Sequence, residues 1–352
     1  MDFGVYVHVP FCRHRCDYCA FATWTDRDHL ADRYLAACRR QIELALPDLP
    51  TVTSGFVGGG TPSRVPADGL MDVLAAVPFA GGAEVTVECN PDDVTPELLE
   101  TYRTGGVTRL SLGVQSMVPS VLATLGRTHD PGNVRKAVDA ANGVGLPFNI
   151  DLIYGAVGEP VDAWKRTIDE TIALEPAHVS AYGLTVEPGT PLAADPARHP
   201  DDDDQADKYE MATDRLAAAG YEWYEISNWA KPGNRCRHNL LYWSEGEYLG
   251  VGCAAHGHRG GRRAWNIHTP DRYVTAIEAG RSPEAGHEEL NPTERRREAL
   301  QLGIRTASGV PAHEVPAALL EDLVGFIEPI DDRVVLTRRG RLVANEVAIR
   351  LG

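Results

Sequence analysis

Six short apolar, β-branched runs alternate with amphipathic helical stretches over the first half of the chain. No other feature limits the fold as strongly. The runs are Gly4–Val9, Ser54–Val57, Glu84–Glu88, Arg109–Val114, Phe148–Ile153 and His178–Leu184. Between the first two, Arg27–Leu46 places Leu30, Tyr34, Leu35, Cys38, Ile42 and Leu46 near a period of about 3.6, one face of a helix. Ala67–Val77, Pro96–Thr104, Asn133–Val144 and Ala163–Leu174 read likewise, and Thr95 before Pro96 is a plausible N-cap. Successive strand–helix units build a parallel sheet with right-handed crossovers. Six are too few for a closed eight-stranded barrel and suit an open one, a partial (β/α)6 barrel of the α/β class. In such folds the chemistry gathers at the carboxyl ends of the strands.

The second half has another style. Val186–Pro191 is a turn-rich break, and Asp201–Asp204 places four carboxylates where a helix dipole favours them, before a helical run to Ala219. Tyr221–Trp229 reads as an aromatic strand, and Lys231–Arg235 as a second break. Thr293–Arg305 is a charged helix; Val334–Leu336, Thr337–Gly340 and Leu342–Leu351 follow as strand, turn and helix. The expected division is a barrel over 1–230 and a C-terminal region over 231–352 that ends in a small, mainly helical, winged-helix-like domain.

Composition bears on partners and compartment. The 50 acidic against 34 basic residues leave a net charge of −16, which argues against binding to anionic nucleic acid. No apolar stretch approaches the ~20 residues of a membrane-spanning helix, and no signal peptide is expected. Seven cysteines is an odd number, and Cys38, Cys89, Cys236 and Cys253 stand singly, so a disulfide framework is not indicated. A reducing, cytoplasmic setting is expected.

The strand ends carry unusual clusters. After the first comes Cys12-x3-Cys16-x2-Cys19, with Tyr18 inside and Phe21 two residues beyond. Three thiolates can hold one metal centre and leave a coordination position open, as a catalytic site needs. Spacing alone admits a zinc site completed by His8 or His14, buried free thiols, or an Fe–S cluster; the place in the βα series favours the cluster. After the second strand, Gly58-Gly59-Gly60-Thr61-Pro62 would let backbone approach a ligand and leave its N–H and C=O groups free. Glu88, Gln115, Arg127 and Asp151 lie at or beyond later strand ends. Two carboxylates, an amide and a guanidinium are the groups needed by a nucleoside with an amino-acid tail. Farther on, His238-Asn239-Leu-Leu-Tyr242-Trp243 could present an imidazole and a flat aromatic surface, and Gly250–His258 adds two His and a Cys in a Gly-rich stretch.

Taken in order, Tyr6-x-His-x-Pro-Phe-Cys12-x3-Cys16-x-Tyr-Cys19, Gly58–Pro62, Glu88-Cys-Asn-Pro91, Ser111–Ser116, Leu125-Gly-Arg-Thr-His129 and Asp151-Leu-Ile-Tyr-Gly155 resemble the radical SAM proteins of the oxygen-independent coproporphyrinogen III oxidase group. His238–Trp243 resembles the haem-binding motif of that group's HemW-type haem chaperone branch. The resemblance implies that Cys12, Cys16 and Cys19 ligate three irons of a [4Fe–4S] cluster and that S-adenosylmethionine (SAM) chelates the fourth. It implies that Tyr6 and Tyr18 line the cluster and adenine side, that Gly59, Gly60 and Thr61 meet the methionine end, and that Glu88, Gln115, Arg127 and Asp151 hold carboxylate and ribose. Reduction of the cluster would cleave SAM to methionine and a 5′-deoxyadenosyl radical. His238, Asn239, Tyr242 and Trp243 would bind haem as cargo. Implied partners are haem, haem-acceptor proteins such as respiratory enzymes, an electron donor, the membrane surface and a second copy of the chain.

Two departures choose between the branches. The decarboxylating oxidases carry a fourth cysteine where this chain has Phe21, and an N-terminal extension where this chain starts almost at its first strand. Both favour the haem chaperone, with the oxidase, acting on coproporphyrinogen III in haem biosynthesis, as the alternative.

Overall fold

A computed structural model describes residues 2–352. Six parallel strands stand side by side in chain order: β1 (Phe3–Val9), β2 (Val52–Gly59), β3 (Phe79–Cys89), β4 (Arg109–Gln115), β5 (Phe148–Tyr154) and β6 (His178–Gly183). Helices Ala31–Ala45, Ala67–Ala75, Pro96–Thr104, Pro131–Val144 and Val161–Ala173 fill the crossovers. The expected Thr95 cap is present, its hydroxyl accepting from Leu98 N–H at 3.2 Å.

Side chains alternate between the two faces of a strand. On β1, Val5, Val7 and Val9 are buried in the main apolar core with Leu35 and Ile42 of the first helix. The intervening residues, and their register partners on the other strands, are polar or aromatic: Tyr6, His8, Ser54, Glu88, Ser111, Asn149, Asp151, His178 and Ser180. The barrel therefore packs its apolar face on the helices and keeps a polar interior.

The sheet continues on both sides of the six strands. β7 (Glu222–Glu225) and β8 (Asn228–Ala230) form an antiparallel hairpin beside β6, so the aromatic stretch Tyr221–Trp229 is two strands rather than one. A turn at Ile226 and Ser227 divides it; Ser227 N–H bonds the Glu225 carboxylate at 3.0 Å. Next to β1 lie β9 (Glu247–Val251), parallel to it, then β10 (His256–Arg259), β11 (Arg262–Asn266) and β12 (Glu284–Glu289), antiparallel to one another. The twelve-stranded sheet thus crosses residue 230.

A further apolar cluster forms after residue 291. Helices Pro292–Gly303 and Ala344–Leu351 pack with β13 (Val310–Pro311), β14 (Ile327–Ile330) and β15 (Arg333–Leu336), three antiparallel strands in the order β13-β15-β14. Leu300, Ile304, Val334, Leu336 and Val347 make its core, a winged-helix-like arrangement. The module docks on the β7 edge: Glu225 bridges Thr306, and the Arg341 guanidinium lies 3.6 Å from the Trp223 ring centre.

Candidate functional site

The cysteine loop leaves β1 and is pinched at its base. Cys12 N–H donates to Trp24 C=O at 3.0 Å, and Trp24 N–H to Pro10 C=O at 2.7 Å. The loop is also tied from outside: His8 Nε2 meets Ala22 C=O at 2.8 Å, and Arg198 pairs with Asp17 at 2.8 Å. Cys12, Cys16 and Cys19 are free and half-buried. Burial pushes the Cys12 and Cys19 thiols up, and the neighbouring thiols add to it, while the Thr61 hydroxyl, 3.6 Å from Cys12 Sγ, pulls Cys12 the other way. Metal binding would reverse that preference, because iron ligates the thiolate. His8 is no metal ligand: its second ring nitrogen, Nδ1, lies 3.1 Å from the Tyr6 hydroxyl, so both nitrogens are engaged.

The three cysteines border a cavity of about 660 Å³ at the carboxyl ends of β1–β6, within the usual range for a cofactor site. Eight of the nine residues expected around SAM line it: Tyr18, Gly59, Gly60, Thr61, Glu88, Gln115, Arg127 and Asp151. Tyr6 does not. It lies behind the wall, stacked on Phe56 at 6.4 Å, and burial raises its phenol, with Glu88 nearby adding to the shift.

The glycine stretch works differently from the expectation. Its amides are already spent: Gly59 N–H donates to Glu88 at 3.1 Å, Gly60 N–H to Val9 C=O at 2.7 Å and Thr61 N–H to Phe11 C=O at 2.8 Å. The last two bonds extend the β1–β2 pairing into the cysteine loop. A Cβ on Gly60 would lie 2.7 Å from Phe11 O and 2.8 Å from Val9 O, so only glycine allows this approach. With the donors consumed, a ligand here is offered carbonyl acceptors, which suits an ammonium group.

Glu88 and Asp151 face the same space. Glu88 is pushed up to about 8, by burial first and then by Asp151, while the Gly59 amide pulls the other way. Asp151 is also raised by burial, against bonds from Ser111 at 2.7 Å and Asn149 at 2.7 Å. Neither carboxyl forms a salt bridge among the described residues, although Arg109 tempers Asp151 from a distance, so both are acceptors or donors for hydroxyls. Gln115 terminates β4 at φ 64°, a left-handed conformation that costs a non-glycine residue free energy. Arg127 donates to Gly113 C=O at 2.6 Å and lies 3.6 Å from Cys16 Sγ, placing a fixed positive charge beside the thiols. Three thiols, carbonyl acceptors, two carboxyls and a guanidinium around one cavity fit a cluster with an open iron and a SAM-like ligand.

His238–Trp243 lies at the opposite end of the barrel. Residues Arg237–Trp243 form a short helix that closes the floor. Glu84 caps it, accepting from Arg237 N–H at 2.9 Å and His238 N–H at 3.3 Å. His238 is fully buried, stacked on Phe56 at 5.6 Å, with Nδ1 3.0 Å from Ser54 Oγ and Nε2 2.8 Å from Tyr242 OH. Burial pushes its imidazole down to about 4. The expected presentation of a free imidazole is therefore not what this conformation offers; Asn239, Tyr242 and Trp243 are only half-buried. Gly250–His258 is the end of β9, a tight turn and most of β10.

Several functional-looking residues escaped the sequence reading. A hydrogen-bonded chain leaves the cavity at Asp151 and runs through Asn149, His178 (Nδ1 to Asn149 Oδ1, 2.6 Å) and Tyr224 (OH to His178 Nε2, 2.7 Å) to Cys236 N–H at 3.3 Å. It joins the cavity to the start of the floor helix. Alternating polar residues inside apolar strands, Asn149 and Asp151 in β5 above all, were the available signal.

Comparison with known proteins agrees with this geometry. The model of the radical SAM superfamily matches residues 6–171. A curated protein of Mycobacterium tuberculosis (strain H37Rv) named heme chaperone HemW is 43% identical over 98% of this chain and 93% of its own. Proteins of the same name from Bacillus subtilis and Escherichia coli are each 33% identical over 98% of this chain, and 97% and 96% of their own. Among solved structures, the E. coli coproporphyrinogen III oxidase, described as a radical SAM enzyme, superposes with a TM-score of 0.86 at 22% identity, covering 99% of this chain and 90% of that one. That likeness is one of fold.

Proposed function

This chain belongs to the HemW family of radical SAM proteins, and on that premise we propose that it binds haem and delivers it to haem-dependent proteins while carrying a SAM-bound [4Fe–4S] cluster. The observation that carries the reading is the full-length identity to proteins named as heme chaperones, with His238–Trp243 in place. Cys12, Cys16 and Cys19 hold the cluster. Gly59 and Gly60 offer carbonyl oxygens to the methionine amine beside Thr61, whose own C=O accepts from Arg64 N–H at 3.0 Å, and Arg127 supplies charge for its carboxylate. Gln115, Glu88 and Asp151 take the ribose side, with Tyr18 over the cluster and adenine and Tyr6 buttressing from behind. When bound, the cluster supplies the electron that SAM chemistry requires. What this chain's residues do is orient the ligand and exclude water from it.

Phe21 supports the chaperone over the oxidase. It is 65% exposed at the cavity edge, an apolar ring where the oxidases have a thiol. Haem enters through His238, Asn239, Tyr242 and Trp243. Because His238 is enclosed by Ser54, Phe56 and Tyr242, loading involves release of the floor helix. We place the boundary between the barrel unit and the C-terminal module near Asn291, and the protein in the cytoplasm, where reduced thiols persist. A haem acceptor, an electron donor, the membrane surface and a second copy of the chain complete the proposed partners.

Hemin titration of anaerobically reconstituted protein tests this. A saturable Soret shift, lost in His238→Ala, is expected. An unchanged shift in that variant would move the haem ligand elsewhere. Conversion of coproporphyrinogen III to protoporphyrinogen under reducing conditions would favour the oxidase.

A further inference from the structure

His129 is 5% exposed, and among the described residues neither of its ring nitrogens makes a hydrogen bond of normal geometry. A buried imidazole in that state costs stability unless something else meets it. It lies in an extended link between the helices Pro119–Thr124 and Pro131–Val144. Residues two apart in such a link share a side: Arg127 and His129 turn inward, whereas Thr128 and Asp130 are exposed. Both inward residues line the 660 Å³ cavity, which the exposed Thr128 between them also borders. Val114 C=O approaches the ring closely enough to raise the imidazole a little but outside hydrogen-bond geometry, and Asp92 and Asp130 are the acidic neighbours; Asp92 already accepts from Asn133 at 3.0 Å. Burial, reinforced by Arg127, holds the imidazole down at about 4 and so neutral at pH 7, with one N–H to give. Arg127 is anchored by Gly113 and faces Cys16, so its charge stays at the cluster side of the cavity. Arginine and imidazole N–H groups on one wall make a donor pair of the kind that recognises carboxylates.

We propose that His129 is a ligand-binding residue, donating a hydrogen bond to a carboxylate that it shares with Arg127, the carboxylate being that of the methionine end of SAM. The assignment rests on the SAM reading above. A haem propionate offers the same chemistry at the same two donors.

Equilibrium binding to the anaerobically reconstituted wild type, His129→Phe and His129→Gln separates the possibilities, with SAM, decarboxylated SAM and hemin as probes. SAM affinity should fall about tenfold in His129→Phe, the weight of one charge-assisted hydrogen bond. It should fall less in His129→Gln, which keeps a donor. Decarboxylated SAM should bind all three proteins alike. The unliganded His129→Phe protein should melt higher than the wild type, since an unpartnered polar group is removed; a merely structural histidine would give a lower melting temperature. Weakening confined to hemin supports the carboxylate site with the propionate as its source. Equal affinity of wild type and His129→Phe for both SAM and hemin overturns the assignment. Failure of the wild type itself to bind SAM, with cluster iron and sulfide intact, overturns the SAM reading along with it.

Discussion

Glu88→Gln should change how stability depends on pH, with a predictable sign. The wild-type carboxyl is raised to about 8 by burial and by Asp151, whereas an unfolded chain titrates near the ordinary carboxylate value. Between those values the folded protein holds a proton that the unfolded one has lost. Stability is therefore fully present below about pH 4.5 and lost as pH rises towards 8, at about 1.4 kcal/mol per pH unit for one proton. A shift of about 3.5 units would give an upper limit of about 5 kcal/mol. Glu88 borders the cavity, where water weakens both burial and repulsion, so about 2–3 kcal/mol is the working figure. Glutamine cannot ionise and keeps an acceptor for Gly59 N–H. Urea unfolding of the unliganded protein at pH 5, 6, 7 and 8 should show variant and wild type close together at pH 5, and the variant ahead by that amount at pH 8. Parallel pH profiles for the two proteins would refute the picture of an unpaired, buried carboxyl.

Other consequences follow from close contacts. In Gly4→Ala the new Cβ would sit 2.6 Å from Leu241 and 2.9 Å from His238, so the floor helix should be pushed off at a cost of about 1–3 kcal/mol. The melting temperature should drop and the hemin Soret titration should tighten. Gly60→Ala meets backbone atoms at 2.7–2.8 Å that cannot yield locally; iron and labile sulfide after reconstitution should fall below half of wild type with the far-ultraviolet circular dichroism unchanged. Arg341→Ala removes the stack on Trp223, worth about 1 kcal/mol, and should speed limited proteolysis between the barrel and the C-terminal module.

The barrel and its upper site were legible because their signals are local. β1–β6 are short β-branched runs, and the residues bordering the cavity sit at a strand end or in the segment between it and the next crossover helix. The lower half was not. His238 reads as an available imidazole until Ser54, 184 residues away, and Gly4 are seen against it. The pairing that buries it has no sequence signature. β11 and β12 were missed for a different reason. Glu284–Glu289 has no apolar face, and its pairing with β11 is supported by charge pairs such as Arg262–Glu284 and Arg263–Glu288. The spent amides of Gly59–Thr61 likewise depend on where the cysteine loop folds back, which spacing does not encode. His129 looked like the tail of a motif, and only its burial without a partner gives it a role.

The central claim is that Cys12, Cys16 and Cys19 hold a cluster whose open iron meets SAM. Electron paramagnetic resonance of the anaerobically reconstituted, reduced protein, recorded with and without SAM, tests it most directly. The expected outcome is a [4Fe–4S] signal that shifts when SAM is added and is lost in Cys16→Ser. A signal indifferent to SAM, or a protein holding about one zinc and no labile sulfide, would contradict it.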